Sequence, residues 1–266
     1  MAKQKGPLKY VGTIGDIRHF KIKGQEGYFA GMVGGPTDTQ VKTAPEFART
    51  RENMNEFGGC AKAGKSVRVA LSEVLNGMTD PQCTGRLTSI MKKINLEDGT
   101  EPRGVRKVEI STQRTYLHGF GFDKNISFAS VSYVPYASTH SVDRLTGTLT
   151  TYAANPANSI NAPAGATHFR FINALGVVSD FAFNSSTGTY EPTSPELNEL
   201  SNTTFGAYSP LSAPYAGEVL DVLLPATVLT ADVSVLHCIG IEFFQEVNGN
   251  YYRFSSGNCL TIDNVY

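Results

Sequence analysis

No apolar run in this sequence approaches the ~20 residues a membrane-spanning helix needs, and tryptophan is absent. The opening Met1-Ala2-Lys3-Gln4-Lys5-Gly6-Pro7 lacks the apolar stretch of a secretory signal. Residence in the cytoplasm as synthesised is therefore expected, with release as part of an extracellular assembly as the other route. The missing tryptophan and missing signal weigh against a sugar- or surface-binding module. Cys60, Cys83, Cys238 and Cys259 form no C-x-x-C pair, which weighs against a zinc cluster. His19, His118, His140, His168 and His237 are scattered and build neither H-x-x-x-H nor H-E-x-x-H. A G-x-S-x-G nucleophile elbow is also absent. Glu242 and Glu246 share a strand face and form a candidate carboxylate pair, though a solvated face is the simpler reading. No catalytic residue, cofactor or metal is expected.

Positive charge is scarce in the second half. Residues 115–266 carry 4 Lys/Arg against 12 Asp/Glu, a balance of −8, whereas residues 1–114 carry 19 against 12, a balance of +7. The net charge of −1 hides this split. A dipolar chain of this kind suits an anionic partner for its basic half, or a partner like itself; dispersed solvated charge is the plain alternative. A nucleic-acid binder would use Lys3, Lys5, Lys9, Arg49, Arg51, Lys62, Lys65 and Arg68, with Tyr10 and Phe20 for stacking. No recognised nucleic-acid module accompanies them.

One motif is present that argues for chemistry. Gly59-Cys60-Ala61-Lys62-Ala63-Gly64-Lys65-Ser66 matches the phosphate-binding pattern G-x-x-x-x-G-K-[ST]. Such a loop needs a buried strand before its first glycine. Residues 46–57 are instead charged, with Phe47, Met54 and Phe57 near a helical repeat. The nearest candidate for the acidic partner, Asp221, is far along the chain. We therefore reject a nucleotide site and read Gly58, Gly59 and Gly64 as small residues for close packing, against a neighbouring element or a second subunit. Each costs the helix about 1 kcal/mol that such packing must offset.

Residues 1–12 read as a loose basic arm. A hairpin turns at Lys23-Gly24-Gln25-Glu26. Thr43 and Glu46 fit a capping box for a helix to Leu75, whole or broken near Gly58-Gly59 and ended by Asn76-Gly77. Asp80-Pro81 opens a second helix with the stripe Leu87, Ile90, Met91, Ile94. Strands are expected at residues 105–110, 126–134, 149–152, 168–174, 177–183, 219–224, 232–246 and 251–262. A long loop at 192–217 would bind something or cover a sheet edge. An Asn248-Gly249 turn pairs Val247 with Asn250, Phe243 with Phe254 and Ile241 with Ser256. That register sets Cys238 opposite Cys259, with free thiols favoured over a bridge.

Five stretches resemble one family: Ala2-Lys3-Gln4-Lys5-Gly6, Gly12-Thr13-Ile14-Gly15-Asp16, residues 47–53, Gly165-Ala166-Thr167-His168 and residues 241–249. It is a Bacteroidota family of hypothetical proteins with no assigned activity. The resemblance implies one compact unit, helical first and β-rich after, and brings no site residues.

The expected fold is α+β. Residues 1–114 form a basic arm, hairpin and helical region, and residues 115–266 an acidic antiparallel β-sandwich, Ig-like or jelly-roll-like. The expected function is a non-enzymatic subunit that self-assembles into a filament, tube or phage-like particle through heterologous contacts. Its partners are copies of itself, with nucleic acid as the alternative. Candidate contacts are Lys3, Lys5, Tyr10, Arg49, Arg51, Gly58, Gly59, Gly64 and Lys65.

Overall fold

The computed structural model describes residues 2–266; Met1, the first residue of the arm, lies outside them. The chain forms two compact units, Met1–Arg51 and Glu52–Tyr266. The boundary therefore falls at residue 51, not where the charge changes at residue 114, and there are two units rather than one.

The first unit holds β1 (Ala2–Lys3), β2 (Gly12–Ile14), β3 (Ile17–Phe20) and β4 (Phe29–Met32), an antiparallel sheet in the order β1-β4-β3-β2. The expected turn joins β3 to β4. The arm is tied down. Gln4 accepts the Tyr10 N–H at 3.1 Å, and its amide donates to the Phe29 carbonyl at 3.2 Å. Helix α1 (Asp38–Thr43) is capped by a box of Thr37 and Gln40, not by Thr43 and Glu46. Pro45 sets the difference: the residue before a proline is pushed out of helical geometry, and Ala44 is extended at ψ 137°. The helix therefore stops at Thr43, and a 3-10 turn at Pro45–Phe47 leads into α2 (Ala48–Ala70).

In the second unit α2 runs unbroken through Gly58-Gly59. Then follow α3 (Ser72–Leu75), α4 (Cys83–Glu97), α5 (Phe128–Val131), β5 (Tyr136–His140), β6 (Thr146–Ala154) and α6 (Pro156–Ser159). The remainder is β7 (His168–Ser179), β8 (Phe181–Asn184), β9 (Thr189–Pro192), β10 (Ser201–Phe205), β11 (Ser209–Pro210), β12 (Tyr215–Leu223), β13 (Val233–Val247), β14 (Asn250–Arg253) and β15 (Cys259–Val265). A central sheet runs β10-β7-β13-β14, with β11 beside β7 and β15 beside β13; β12-β6-β5 and β8-β9 are separate sheets. The fold is mixed helix and strand with antiparallel sheets.

Strands β7 and β13 are buried on both faces, and their alternation sorts the core. Ile172, Ala174, Val178, Leu236 and Cys238 meet Cys60, Ala63 and Val67 of α2 and Leu87, Met91 and Ile94 of α4. The alternate residues Phe169, Phe171, Ile239, Ile241 and Phe243 join Leu149 of β6 and Leu220 of β12. Helices thus cover one face of the central sheet and β5-β6-β12 the other. The expected loop at 192–217 contains β10 and β11, which pair with the free edge of β7.

Two expected strands are missing. Residues 105–110 make only a single bridge, Val108 to Phe181. Side chains satisfy the backbone there in place of a ladder: Asp98 accepts the Lys107 N–H at 2.7 Å, Asn95 donates to the Arg106 carbonyl and Glu56 accepts the Gly104 N–H. Residues 126–134 contain α5, because Ser127 and Ser130 form a capping box. The terminal hairpin keeps its register only near the turn. Val247 pairs with Asn250, and Phe244 with Arg253. Asn258 then takes over, accepting the Phe243 N–H at 2.8 Å and donating to the Phe254 carbonyl. The chain rejoins three residues late, with Ile241 opposite Cys259 and Cys238 opposite Ile262. An odd shift reverses the faces, so Cys238 lies in the helix-side core and Cys259 in the other. They are not neighbours, and all four cysteines are free and buried.

Gly59 is fixed by a close approach: an added Cβ would stand 2.4 Å from the Tyr190 ring. That ring is held by its hydroxyl, which donates to the Arg106 carbonyl at 2.7 Å. At Gly64 the nearest atoms to an added Cβ are 3.5 Å away, in Leu87 and Thr88. Gly59→Ala is expected to destabilise by about 1–3 kcal/mol through overpacking. Gly64→Ala is expected to be neutral or to stabilise by up to about 1 kcal/mol. Urea denaturation of the two variants checks this; equal effects would remove the role given to Tyr190.

Candidate assembly surface

Residues paired across neighbouring strands share a face. Ile14 pairs with Ile17, and Ile17 with Met32, so the three form a row across β2, β3 and β4. They are 60%, 44% and 75% exposed. Leu8, Val11 and Val33 of the same unit are exposed as well. The other face carries Lys3, Phe29 and Phe20 in register, with Arg18 beside them. Phe20 and Phe29 stack at 6.3 Å, and Lys9 and Lys21 lie 5.7 and 5.3 Å from the Tyr28 ring. None of the described residues of this unit is buried. Residues 1–51 carry nine Lys/Arg against four Asp/Glu, a balance of +5, and residues 52–266 carry 14 against 20, a balance of −6.

The residues expected to make contacts are divided between the two units. Lys3, Lys5 and Tyr10 are exposed on or beside the N-terminal sheet, and Arg49, Gly58 and Lys65 are exposed on α2. Arg51 is structural: it donates to the Val41 and Ala44 carbonyls, both at 2.8 Å, and holds the corner into α2. Gly59 and Gly64 face inward and serve packing within the unit, not a contact between subunits. The row Ile14-Ile17-Met32 was not legible as a surface, because apolar residues in a hairpin read as core. The signal lay in numbers: so short a segment offers too few of them to bury.

The G-x-x-x-x-G-K-S stretch lies wholly inside α2, so its N–H groups are used by the helix and form no phosphate cradle. Glu242 is buried between Arg170 and Arg253, each at 2.7 Å, and Glu246 accepts the turn N–H of Gly249; the pair is structural. Buried Glu56 takes ion pairs from Lys92 and Arg106. Burial raises its pKa, and the Lys92 and Gly104 hydrogen bonds outweigh that and lower it. Burial pushes the Cys60 and Cys259 thiols up to about 12, so neither is a thiolate nucleophile at neutral pH. His118 lines a cleft of about 290 Å³ with Tyr136 and Asp263, but Asp263 is already held by Tyr136 and Ser138. Among the described residues no three His, Cys, Asp or Glu converge as metal ligands, and no helix is long and apolar enough to cross a membrane.

His237 is fully buried and donates through Nε2 to Asn173 Oδ1 at 2.8 Å. Asn173 in turn donates to the Gly147 and Leu220 carbonyls, so this network ties β13 and β7 to β6 and β12. No protein-family model, curated protein or solved structure matches the chain.

Two predictions follow from these placements. Lys65→Ala should leave phosphate release from ATP at background and stability within about 0.5 kcal/mol, as for other exposed positions. Release by the wild type that is lost in the variant would restore the nucleotide reading. Burial lowers the His237 pKa from 6.5 to about 4, so the unfolded chain binds the extra proton first as pH falls. The contribution is complete above pH ~6.5 and is lost progressively toward pH ~4, about 3 kcal/mol in all. His237→Gln keeps an N–H donor for Asn173 and should flatten that part of the stability–pH curve measured by urea denaturation.

Proposed function

We propose that the chain is a non-enzymatic structural subunit, made in the cytoplasm, that assembles with copies of itself into a filament, tube or phage-like particle. The observation that carries this reading is the four-stranded sheet of residues 2–32, which buries no side chain and presents an aliphatic row to solvent. A small sheet becomes stable when an apolar face is covered. An exposed apolar patch on a basic unit marks an interaction site, and the copies carry a compensating acidic unit. Contacts between unlike surfaces repeat and generate rings or filaments. The stacking of β5-β6-β12 on the central sheet supports reading the second unit as a sandwich with a helical cover.

The opposite face of the N-terminal sheet favours a second reading. Lys3, Arg18, Phe20 and Phe29, with Lys9 and Lys21 near Tyr28, combine cations with ring faces, the chemistry of single-stranded nucleic-acid platforms.

Light scattering coupled to size exclusion, across a salt and concentration series, separates the two. Large species are expected from the full chain. Deleting residues 2–12 removes β1, the Gln4 contacts and the start of β2, and should give smaller species at every salt level. A strict monomer under all conditions would sink the assembly reading. Fluorescence anisotropy with a labelled oligonucleotide would then test the nucleic-acid one, whose affinity must fall steeply with salt.

A further inference from the structure

The Glu52–Tyr266 unit leaves two broad faces open, on opposite sides of its central sheet. The first is the outer side of α2 and α4. Helix α2 is built inside out, with small Gly59, Cys60, Ala63 and Gly64 facing the core, while bulky Met54 and Phe57 face solvent. Between α2 and α4 runs a groove of about 690 Å³ with Ala61, Gly85 and Thr88 on its floor. Phe57 and Leu96 line it and are 60% and 56% exposed. Lys93 also lines it, and exposed Lys65 lies one turn beyond Ala61. From Glu52 onward, helices α2 and α4 carry six Lys/Arg against three Asp/Glu.

The second face is the outer side of β5-β6-β12. Val219, Asp221 and Leu223 alternate outward along β12, opposite Thr150, Thr148 and Thr146. Val219 and Leu223 are 61% and 60% exposed. The three strands contain no Lys or Arg; Asp221 is the acid on this outer side and accepts from Thr148, whereas Glu218 alternates inward and accepts the Ala207 N–H.

We infer that copies stack head to tail, the α2–α4 groove of one seated on the β12 side of the next. The inference rests on the assembly reading and names its surfaces. The occupant is a second copy because the surfaces complement: a groove with apolar walls and lysines meets a face free of Lys and Arg that carries one carboxylate, Asp221, between two aliphatic ridges. Val219 and Leu223 enter the groove, and Asp221 between them faces its lysines. The two faces differ and point away from opposite sides of one sheet. Each added copy therefore offers a fresh face at both ends, and growth stays open.

The test is a mixing experiment on the full chain. Ala61→Arg fills the groove from its half-buried floor, and Val219→Arg, from an exposed position, sets a cation against its lysines; thermal melts check that each variant keeps the fold. Leu96→Arg and Leu223→Arg serve as second variants of each face. Each variant alone is expected as a monomer in light scattering. A 1:1 mixture of Ala61→Arg and Val219→Arg is expected as a dimer, since it contains one intact groove and one intact β12 face, and the two damaged faces repel. If single variants of either face assemble like wild type, the stack is overturned while the assembly reading stands. If both are monomers and the mixture is too, the faces do not meet each other and the stack is likewise overturned. A monomeric wild type would remove the assembly reading and the stack together.

Discussion

Everything in the second unit depends on burying β7 and β13 on both faces. Two adjacent strands cannot be dry on both sides unless two further layers close over them, and each layer meets a different demand. The helix side asks for closeness. Gly176 of β7 leaves 3.1 Å between its absent Cβ and Ala70, and Gly59 admits the Tyr190 ring. The other side asks for partners for polar groups. Asn173 and His237 sit there fully buried; Asn173 is satisfied by His237 Nε2 and by carbonyls of β6 and β12, while His237 Nδ1 has no partner among the described residues. A buried polar group left unpaired would cost about 1–3 kcal/mol. The same logic governs Glu242, which stays buried because Arg170 and Arg253 hold it from the two neighbouring strands.

Much of this was legible, for identifiable reasons. The stripe of α4 and the uninterrupted apolar run of β13 are periodic signals of sufficient length. The Asn248-Gly249 turn fits its geometry, with both residues at positive φ, 52° and 80°. The failures also have physical causes. A register read outward from a turn holds only until a side chain replaces a ladder bond, and Asn258 does so at Phe243. Residues 105–110 have strand composition, yet Asp98, Asn95 and Glu56 from the helices claim their backbone first. Residues 126–134 look β-rich until Ser127 caps a helical turn. Each of these overrides comes from a residue far away in sequence or from one polar side chain, neither of which periodicity can register.

The candidate surface was the least legible part, because inward and outward were exchanged on α2. Phe47, Met54 and Phe57 set the helical repeat that the eye follows, and glycines and alanines look like the dispensable side. In the structure the small residues face the sheet and Met54 and Phe57 face solvent. The charge split was visible at residue 114, but the compact units divide at residue 51. Helices of the basic half thus share a core with strands of the acidic half within one unit.

Magnitudes decide whether one patch is enough. Fully burying a side chain the size of Ile or Met stabilises by about 1.5–3 kcal/mol. Ile14, Ile17 and Met32 have somewhat over half their surface left to cover, so the row supplies roughly 3–5 kcal/mol. Association costs about 4–15 kcal/mol in lost freedom before any net affinity appears. Exposed charges add little at physiological salt, where screening acts over about 8 Å. The N-terminal sheet alone therefore sits at or below the threshold for a stable contact. The groove and its β12 counterpart, with Phe57, Leu96, Val219 and Leu223 each more than half exposed, offer a second contribution of the same order. The two together supply about 6–10 kcal/mol, which reaches well into the range of that cost, where one alone meets only its lower end. In the assembly proposed above the two surfaces would act cooperatively: the sheet would gain a cover once a neighbour is seated, and a subunit would stay seated once the sheet is covered.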